Sequence, residues 1–264
     1  MKNATMRHLY MTTELKRVPA IDKCFAILEL FSRVKKPLGV SEISKALNFN
    51  KSTVFNIVHT LDALGVLEKS RNCKYVFGTQ LYILGKAAGR GSELINTVHP
   101  YLEEINQKTK LSAFLGIRAG IRAVIIDKVD TAFDIKIYSE IGMRMPLLAG
   151  AGGKAILSQL PDSEVDDILS KNKLKKFTPN SCKNKKNYKE MVKKVRDDGV
   201  AVDREEYIEG IRAIAVPLII NRNGVRAAIW TVGLKRQIND NDISQYSDYL
   251  KQIAKEIESR LTSG

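Results

Sequence analysis

Residues 50–65 read NKSTVFNIVHTLDALG. Their spacing predicts a short helix, with Asn50 at the N-cap, Val54, Ile57, Val58, Leu61 and Leu64 as a narrow apolar stripe, and Gly65 as the C-terminal stop. A stripe this narrow anchors the helix and leaves Lys51, Ser52, Phe55, Asn56 and His59 on the outward side. Such a helix fits many cores, so its neighbours decide what it is.

Upstream, AIDKCFAILELF at 20–31 places Ile21, Cys24, Phe25, Leu28 and Phe31 at helical spacing, with Pro19 just outside. KKPLG breaks that helix. SEISKALNF at 41–49 then predicts a short second helix, with Ser41 as N-cap and Ile43, Ala46 and Leu47 turned inward, and Asn48 and Phe49 form the turn into the opening stretch. Downstream, VLEKSRNCKYVFG at 66–78 reads as two short strands around a turn at Ser70 to Cys73, carrying Leu67, Tyr75 and Phe77. Three helices followed by a hairpin is the order of a winged helix-turn-helix.

In such a motif the second helix turns one face to its own core and presents its N-terminal residues to the major groove. Ser52 and Thr53 then sit where hydroxyls and free backbone N–H groups meet a phosphate, and Asn56 has the donor and acceptor for adenine. An exposed Phe55 either touches a thymine methyl or belongs to a packing surface. The expected contact set for double-stranded DNA is Ser41, Lys51, Ser52, Thr53, Phe55, Asn56 and His59, with Lys69, Arg71 and Lys74 near the wing tip. The competing reading is an ordinary helical hairpin inside a core.

The net charge of +14 is unevenly spread. Residues 1–80 hold 13 Lys or Arg against 6 Asp or Glu, and residues 171–196 hold 11 against 1, while the rest is near balance. A basic N-terminal block fits a polyanionic partner. The second block, rich in Lys and Asn, fits a solvated loop and helix face better than base reading, which favours Arg.

At 264 residues with 44% hydrophobic content, the chain can fill one large core or two ordinary ones. It contains no 18-residue apolar run, and its start lacks the apolar segment of a secretory signal, so it is expected in the cytoplasm and not at a membrane. Cys24, Cys73 and Cys182 are scattered without a C-x-x-C pair, and His8, His59 and His99 are equally dispersed. Neither a disulfide framework nor a metal site is expected, and no cofactor.

Residues 1–17 read as an N-terminal arm, 18–78 as the winged domain with the helix-turn-helix at about 40–60, 79–97 as a linker helix through Leu81, Leu84 and Ala88, and 98–264 as a second domain. The second domain alternates LSAFLGI, RAVIIDKV and DIKIYSE with a helix at GGKAILSQL. A final strand pair, IRAIAVPLII and RAAIWTVGL, is joined through NRNG at 221–224, and a last helix carries Ile243, Tyr246, Leu250, Ile253, Ile257 and Leu261. The fold class is α+β, with an antiparallel sheet at the centre of the second domain. GAGGKA at 150–155 is not a phosphate loop, because Leu148 stands where its first Gly belongs and Ala155 replaces the Ser or Thr. It offers small residues and a lysine at a helix N-terminus, suited to a carboxylate or to close helix packing.

Together these segments resemble the IclR family of bacterial transcriptional regulators. The resemblance rests on AIDKCFAILELF, VSEISKALNFNKSTVFNIVHTLDALGVLEKS, YVFGTQLYILG, PLLAGAGGKAILSQL and GVAVDREEYIEGIRAIAVPLI followed by AAIWTVG, in family order from about Val18 to the last helix. It implies a winged helix-turn-helix joined by a linker helix to a GAF-like effector domain, assembled as a homodimer or dimer of dimers on palindromic operators. It also implies an effector pocket at Ala151, Gly152, Asp203, Ala213, Trp230 and Val232. Ala213 stands in place of a frequent Cys, and Trp230 and Val232 in place of small hydroxyl residues, which removes polar partners and adds a bulky ring. The expected effector is accordingly a larger, aromatic or partly apolar acid, held by the backbone of Gly152, Gly153 and Lys154 and walled by Trp230. Asp203 either accepts a ligand hydroxyl or orders a turn.

Two other functions compete. An enzyme acting through the second domain lacks a visible nucleophile, metal set or paired carboxylate, since adjacent Glu205 and Glu206 would point to opposite faces if extended. A nonspecific DNA binder would account for the charge but leaves the large second domain without a task.

Overall fold

The computed structural model describes residues 18–70, 72–90, 92–131, 137–220 and 224–262, excluding the side chains of 88–90. The expected arm at 1–17, the wing residue Arg71, much of DIKIYSE and residues 221–223 of the NRNG turn lie outside the described residues. The chain divides into two compact units at Gly91 and Ser92.

In the first unit, α1 (Pro19–Val34) starts with Pro19 inside the helix, where its missing N–H costs nothing. Its buried residues are Ile27, Leu30 and Phe31, whereas Ile21 and Phe25 of the expected stripe are exposed. The fully buried residues of α1 all lie in its C-terminal half, with Cys24 and Leu28 partly buried against the same core. Helix α2 (Val40–Leu47) is capped at Gly39 rather than Ser41: the Glu42 carboxylate reaches back and accepts from the Gly39 N–H at 2.7 Å. Ile43 is buried and Leu47 half-buried as expected, but Ala46 is exposed. The turn passes through Asn48 at φ 53°, a left-handed position Asn tolerates.

Helix α3 (Lys51–Ala63) has Asn50 at its N-cap, without a side-chain capping bond, and buries Val54, Val58 and Leu61. Leu64 leaves the expected stripe and is exposed, because the helix ends at Ala63 and Gly65, at φ 68°, turns the chain away. Strands β1 (Leu67–Lys69) and β2 (Tyr75–Phe77) pair antiparallel, and Leu38 bridges to Tyr75. Helix α4 (Thr79–Arg90) follows.

The second unit opens with α5 (Glu93–Thr109), five residues before the expected boundary at 98: the Ser92 hydroxyl caps it, and Leu94 and Ile95 already pack on the core. Among the described residues its strands are β3 (Ser112–Ala119), β4 (Arg122–Val129), β5 (Arg144–Pro146), β6 (Ala201–Arg204), β7 (Ile211–Leu218) and β8 (Ala227–Leu234), in the antiparallel order β5-β4-β3-β8-β7-β6. Residues 137–140, the described end of DIKIYSE, form no strand.

Alternation sorts the side chains by face. Ala113, Leu115, Ile214, Val216, Ala227 and Ile229 pack with α5 and α9 (Asp240–Thr262). Phe114, Ala213, Ala215, Ala228 and Trp230 belong to the opposite core, shared with α6 (Gly150–Leu157), α7 (Asp162–Lys171) and α8 (Lys185–Asp198). The Lys-rich block forms α8 and its approach: Tyr188, Val192 and Val195 are buried, while Lys189 and Lys194 pair with Asp166 and Asp198.

Candidate nucleic-acid interface and effector cavity

On α3, Lys51, Ser52, Phe55, Asn56 and His59 are exposed and Thr53 is half-buried. The apolar residues between them anchor the helix, and its uncapped first turn leaves backbone N–H groups beside the Ser52 and Thr53 hydroxyls. Phe55 is 52% exposed, and its ring lies 5.8 Å from that of His59, so two flat side chains share the outward face with Asn56. Ser41 is exposed in the first turn of α2. Lys69 is exposed on the wing, whereas Lys74 donates to Glu42 at 2.9 Å and ties the wing to α2. The Gly39 N–H and then Lys74 hold the Glu42 carboxyl below its usual range.

The second unit contains a cavity of about 110 Å³ above the sheet. Six of the residues expected around an effector, Ala151, Gly152, Asp203, Ala213, Trp230 and Val232, line it together. Gly153 and Lys154 do not. A Cβ on Gly153 would lie 2.2 Å from the Leu147 carbonyl oxygen, so this glycine serves close packing of α6. Lys154 is 2% exposed, and its Nζ donates to the Val202 carbonyl at 2.8 Å and to Glu206 Oε1 at 2.6 Å. Its charge is spent fastening α6 to β6 and the turn beyond. Glu205, at φ 66°, lies in that turn and pairs with Lys235, so neither glutamate follows the extended arrangement considered from sequence.

Trp230 stacks on Phe114 at a centroid distance of 5.8 Å and forms one wall. Glycines make the room: a Cβ on Gly116 would stand 2.3 Å from Trp230 Cη2, and one on Gly152 would stand 3.2 Å from Cε3. Helix α6 starts at the cavity without a side-chain cap, which leaves the N–H groups of its first residues open.

Among the described residues, Asp203 is the single charged residue in the lining, and no Lys or Arg joins it. Its Oδ1 accepts from the Glu206 N–H at 2.6 Å, which orders the turn, while Oδ2 faces Gly150. Burial pushes its carboxyl up to about 6, with the Glu206 charge adding to the rise and the turn amides and Lys154 opposing it. Sequence reasoning missed the rest of the lining, including Phe114, Ile125, Met143, Met145 and Tyr207, which come from separate strands and turns. Only the alternation on β3 and β4 hinted at the first two. Among the described residues no group of three or more His, Cys, Asp or Glu is placed to hold a metal, all three cysteines are free, and no helix is long and apolar enough to cross a membrane.

A helix-turn-helix with an exposed polar face, together with a separate α+β unit enclosing a small cavity, is the architecture of a transcriptional regulator with an effector-binding domain. The profile for the bacterial transcriptional regulator IclR C-terminal domain matches residues 87–259 and that for the IclR helix-turn-helix domain matches residues 20–71, so the chain belongs to the IclR family. The HTH-type transcriptional regulator XynR of Escherichia coli is 27% identical over 236 residues, covering 89% of this chain and 94% of XynR. The crystal structure of an IclR-type regulator from Alicyclobacillus acidocaldarius superposes with a TM-score of 0.83 at 25% identity, covering 93% of this chain and 99% of that one. An IclR homologue from Microbacterium hydrocarbonoxydans, solved with 4-hydroxybenzoate, shares the fold at a TM-score of 0.79 and 19% identity, covering 93% of this chain and all of that one (100%).

Proposed function

We propose that this regulator acts in the cytoplasm as a homodimer or dimer of dimers. It reads a palindromic operator through Lys51, Ser52, Thr53, Phe55, Asn56 and His59, with support from Ser41 and the wing, and changes its DNA affinity when an aromatic or partly apolar organic acid enters the cavity. The observation that carries the effector class is the lining itself: an aromatic and aliphatic floor around Trp230 and Phe114, with open amides at the start of α6 and, among the described residues, no cation. Such a site rewards apolar area and holds a single carboxylate by backbone N–H groups. The fold accommodates an aromatic acid in the Microbacterium protein. A two-fold assembly requires paired half-sites, and control follows if the acid prefers one arrangement of the assembly.

Selection from a random duplex pool, with and without 4-hydroxybenzoate and benzoate, tests this. An enriched inverted repeat whose recovery changes with acid is expected. Recovery no different from random DNA overturns the operator reading. Trp230 is the only tryptophan of the chain, so its emission reports the cavity, and a response to pyruvate or glyoxylate alone overturns the effector class.

A further inference from the structure

Ser139 lines the cavity and is 8% exposed, and its hydroxyl oxygen is buried without a hydrogen-bond partner among the described residues. A buried hydroxyl left unpaired forfeits the bonds it makes in water, so its retention at a ligand cavity calls for a partner that arrives from outside. The residue is also held in place. Lys128 Nζ donates to the Ser139 carbonyl at 2.6 Å and to Asp130 Oδ2 at 3.1 Å. The Gly142 N–H donates to the Ile125 carbonyl at 2.7 Å and the Met143 N–H to the Glu140 carbonyl at 3.0 Å, which pins the turn that follows.

The sheet order places this hydroxyl on the side of the cavity away from Asp203. Asp203 lies on β6, one edge of the sheet, and Ser139 precedes β5, the other edge. Between them the lining is apolar, through Ala213, Trp230, Phe114 and Ile125 on β7, β8, β3 and β4. The cavity therefore runs polar, apolar, polar.

We propose that Ser139 is a specificity-determining contact: among the acids proposed above, it selects those with a second hydroxyl, or a comparable hydrogen-bonding group, at the end remote from the carboxylate. This rests on the reading that the carboxylate sits at the start of α6. Site groups built to pair with a ligand hydroxyl discriminate against the analogue that lacks it, because they are then left unpaired.

Calorimetric titration of the full chain with two matched pairs, benzoate with 4-hydroxybenzoate and cinnamate with 4-hydroxycinnamate, tests this at two ligand lengths. The wild type is expected to prefer the hydroxylated member of at least one pair by about tenfold. In S139A that ratio collapses toward one, and S139T, which keeps the hydroxyl, retains a preference. Equal binding of both members by the wild type, or an undiminished ratio in S139A, overturns the role of Ser139 and leaves the effector class standing. Binding of none of the four acids defeats the effector class, and this inference falls with it.

Discussion

Lys154 Nζ lies 2.6 Å from Glu206 Oε1, and this buried ion pair joins the helix that opens onto the cavity to the turn that bounds it. Removing one partner strands the other charge in a dry environment. Lys154→Met is expected to cost about 3–5 kcal/mol in urea unfolding followed by Trp230 emission, and adding Glu206→Gln should recover a large part of it. A double variant no more stable than the single one would show that the pair is not the source of the loss.

The raised Asp203 carboxyl makes stability depend on pH in a defined direction. The native state keeps this proton up to about pH 6 and the unfolded chain releases it near pH 4, so stability falls as pH rises between them and stays lower above. Asp203→Asn is expected to be more stable than wild type at pH 7.5 by roughly 2–3 kcal/mol, with the gain fading toward pH 4. An acid bound beside Asp203 favours its neutral form, so affinity for 4-hydroxybenzoate should rise from pH 7.5 to 5.5 in the wild type and stay flat in the variant. A wild-type slope of the opposite sign would refute that coupling.

Gly116 gives Trp230 its place, and a methyl group there meets the ring at 2.3 Å. Gly116→Ala should cost about 1–3 kcal/mol, shift Trp230 emission and weaken acid binding. Combining it with Trp230→Val should relieve the loss of stability. Emission and stability both unchanged in the single variant would mean that the ring has room to move.

On DNA, Asn56→Ala should cost about 1–3 kcal/mol on the selected operator and relax base preference at one position of each half-site. Lys51→Ala should weaken operator and random duplex alike and lower the slope of log K against log salt by about 0.9 for each phosphate the protein no longer neutralises. Gel shifts at several salt concentrations distinguish the two. Equal losses on both DNAs for both variants would reverse these assignments.

Helix α4 exposes Tyr82, Ile83 and Leu84 in succession, at 65%, 53% and 52%. If the proposed homodimer forms through this helix, a charge there should loosen it. Ile83→Asp is expected to shift the mass seen by sedimentation toward the protomer and to reduce operator binding more than acid binding. A dimer that persists at low micromolar concentration would place the interface elsewhere.

The local code was legible wherever one element carried its own pattern. The recognition helix could be read because Val54, Val58 and Leu61 repeat at helical spacing while Phe55 and Asn56 fall between them, and Phe55 is indeed exposed. Strands β3, β4, β7 and β8 were legible from their apolar runs rich in β-forming residues. Ends and partners were less so. Ser41 looked like a cap until Glu42 reached back to Gly39, and Ile21 and Phe25 of α1 looked buried but stand exposed, while Cys24 of the same stripe packs on the core. The backbone of Gly152 to Lys154 was expected to hold the acid, but Gly153 and Lys154 do not line the cavity, and the tertiary structure brings Glu206, fifty-two residues away, to within a hydrogen bond of the Lys154 side chain.

The sequence by itself determined the helices and hairpin of the first unit, strands β3, β4, β7 and β8, the side on which α3 presents polar groups, and the resemblance to the family, because these depend on periodicities and motifs within short stretches. Only the tertiary structure decided which polar groups remain free for a ligand. That depends on pairings between distant residues: Lys154 is buried against Glu206, Lys74 pairs with Glu42 at the surface, and the Ser139 hydroxyl, across the sheet from Asp203, has no partner among the described residues.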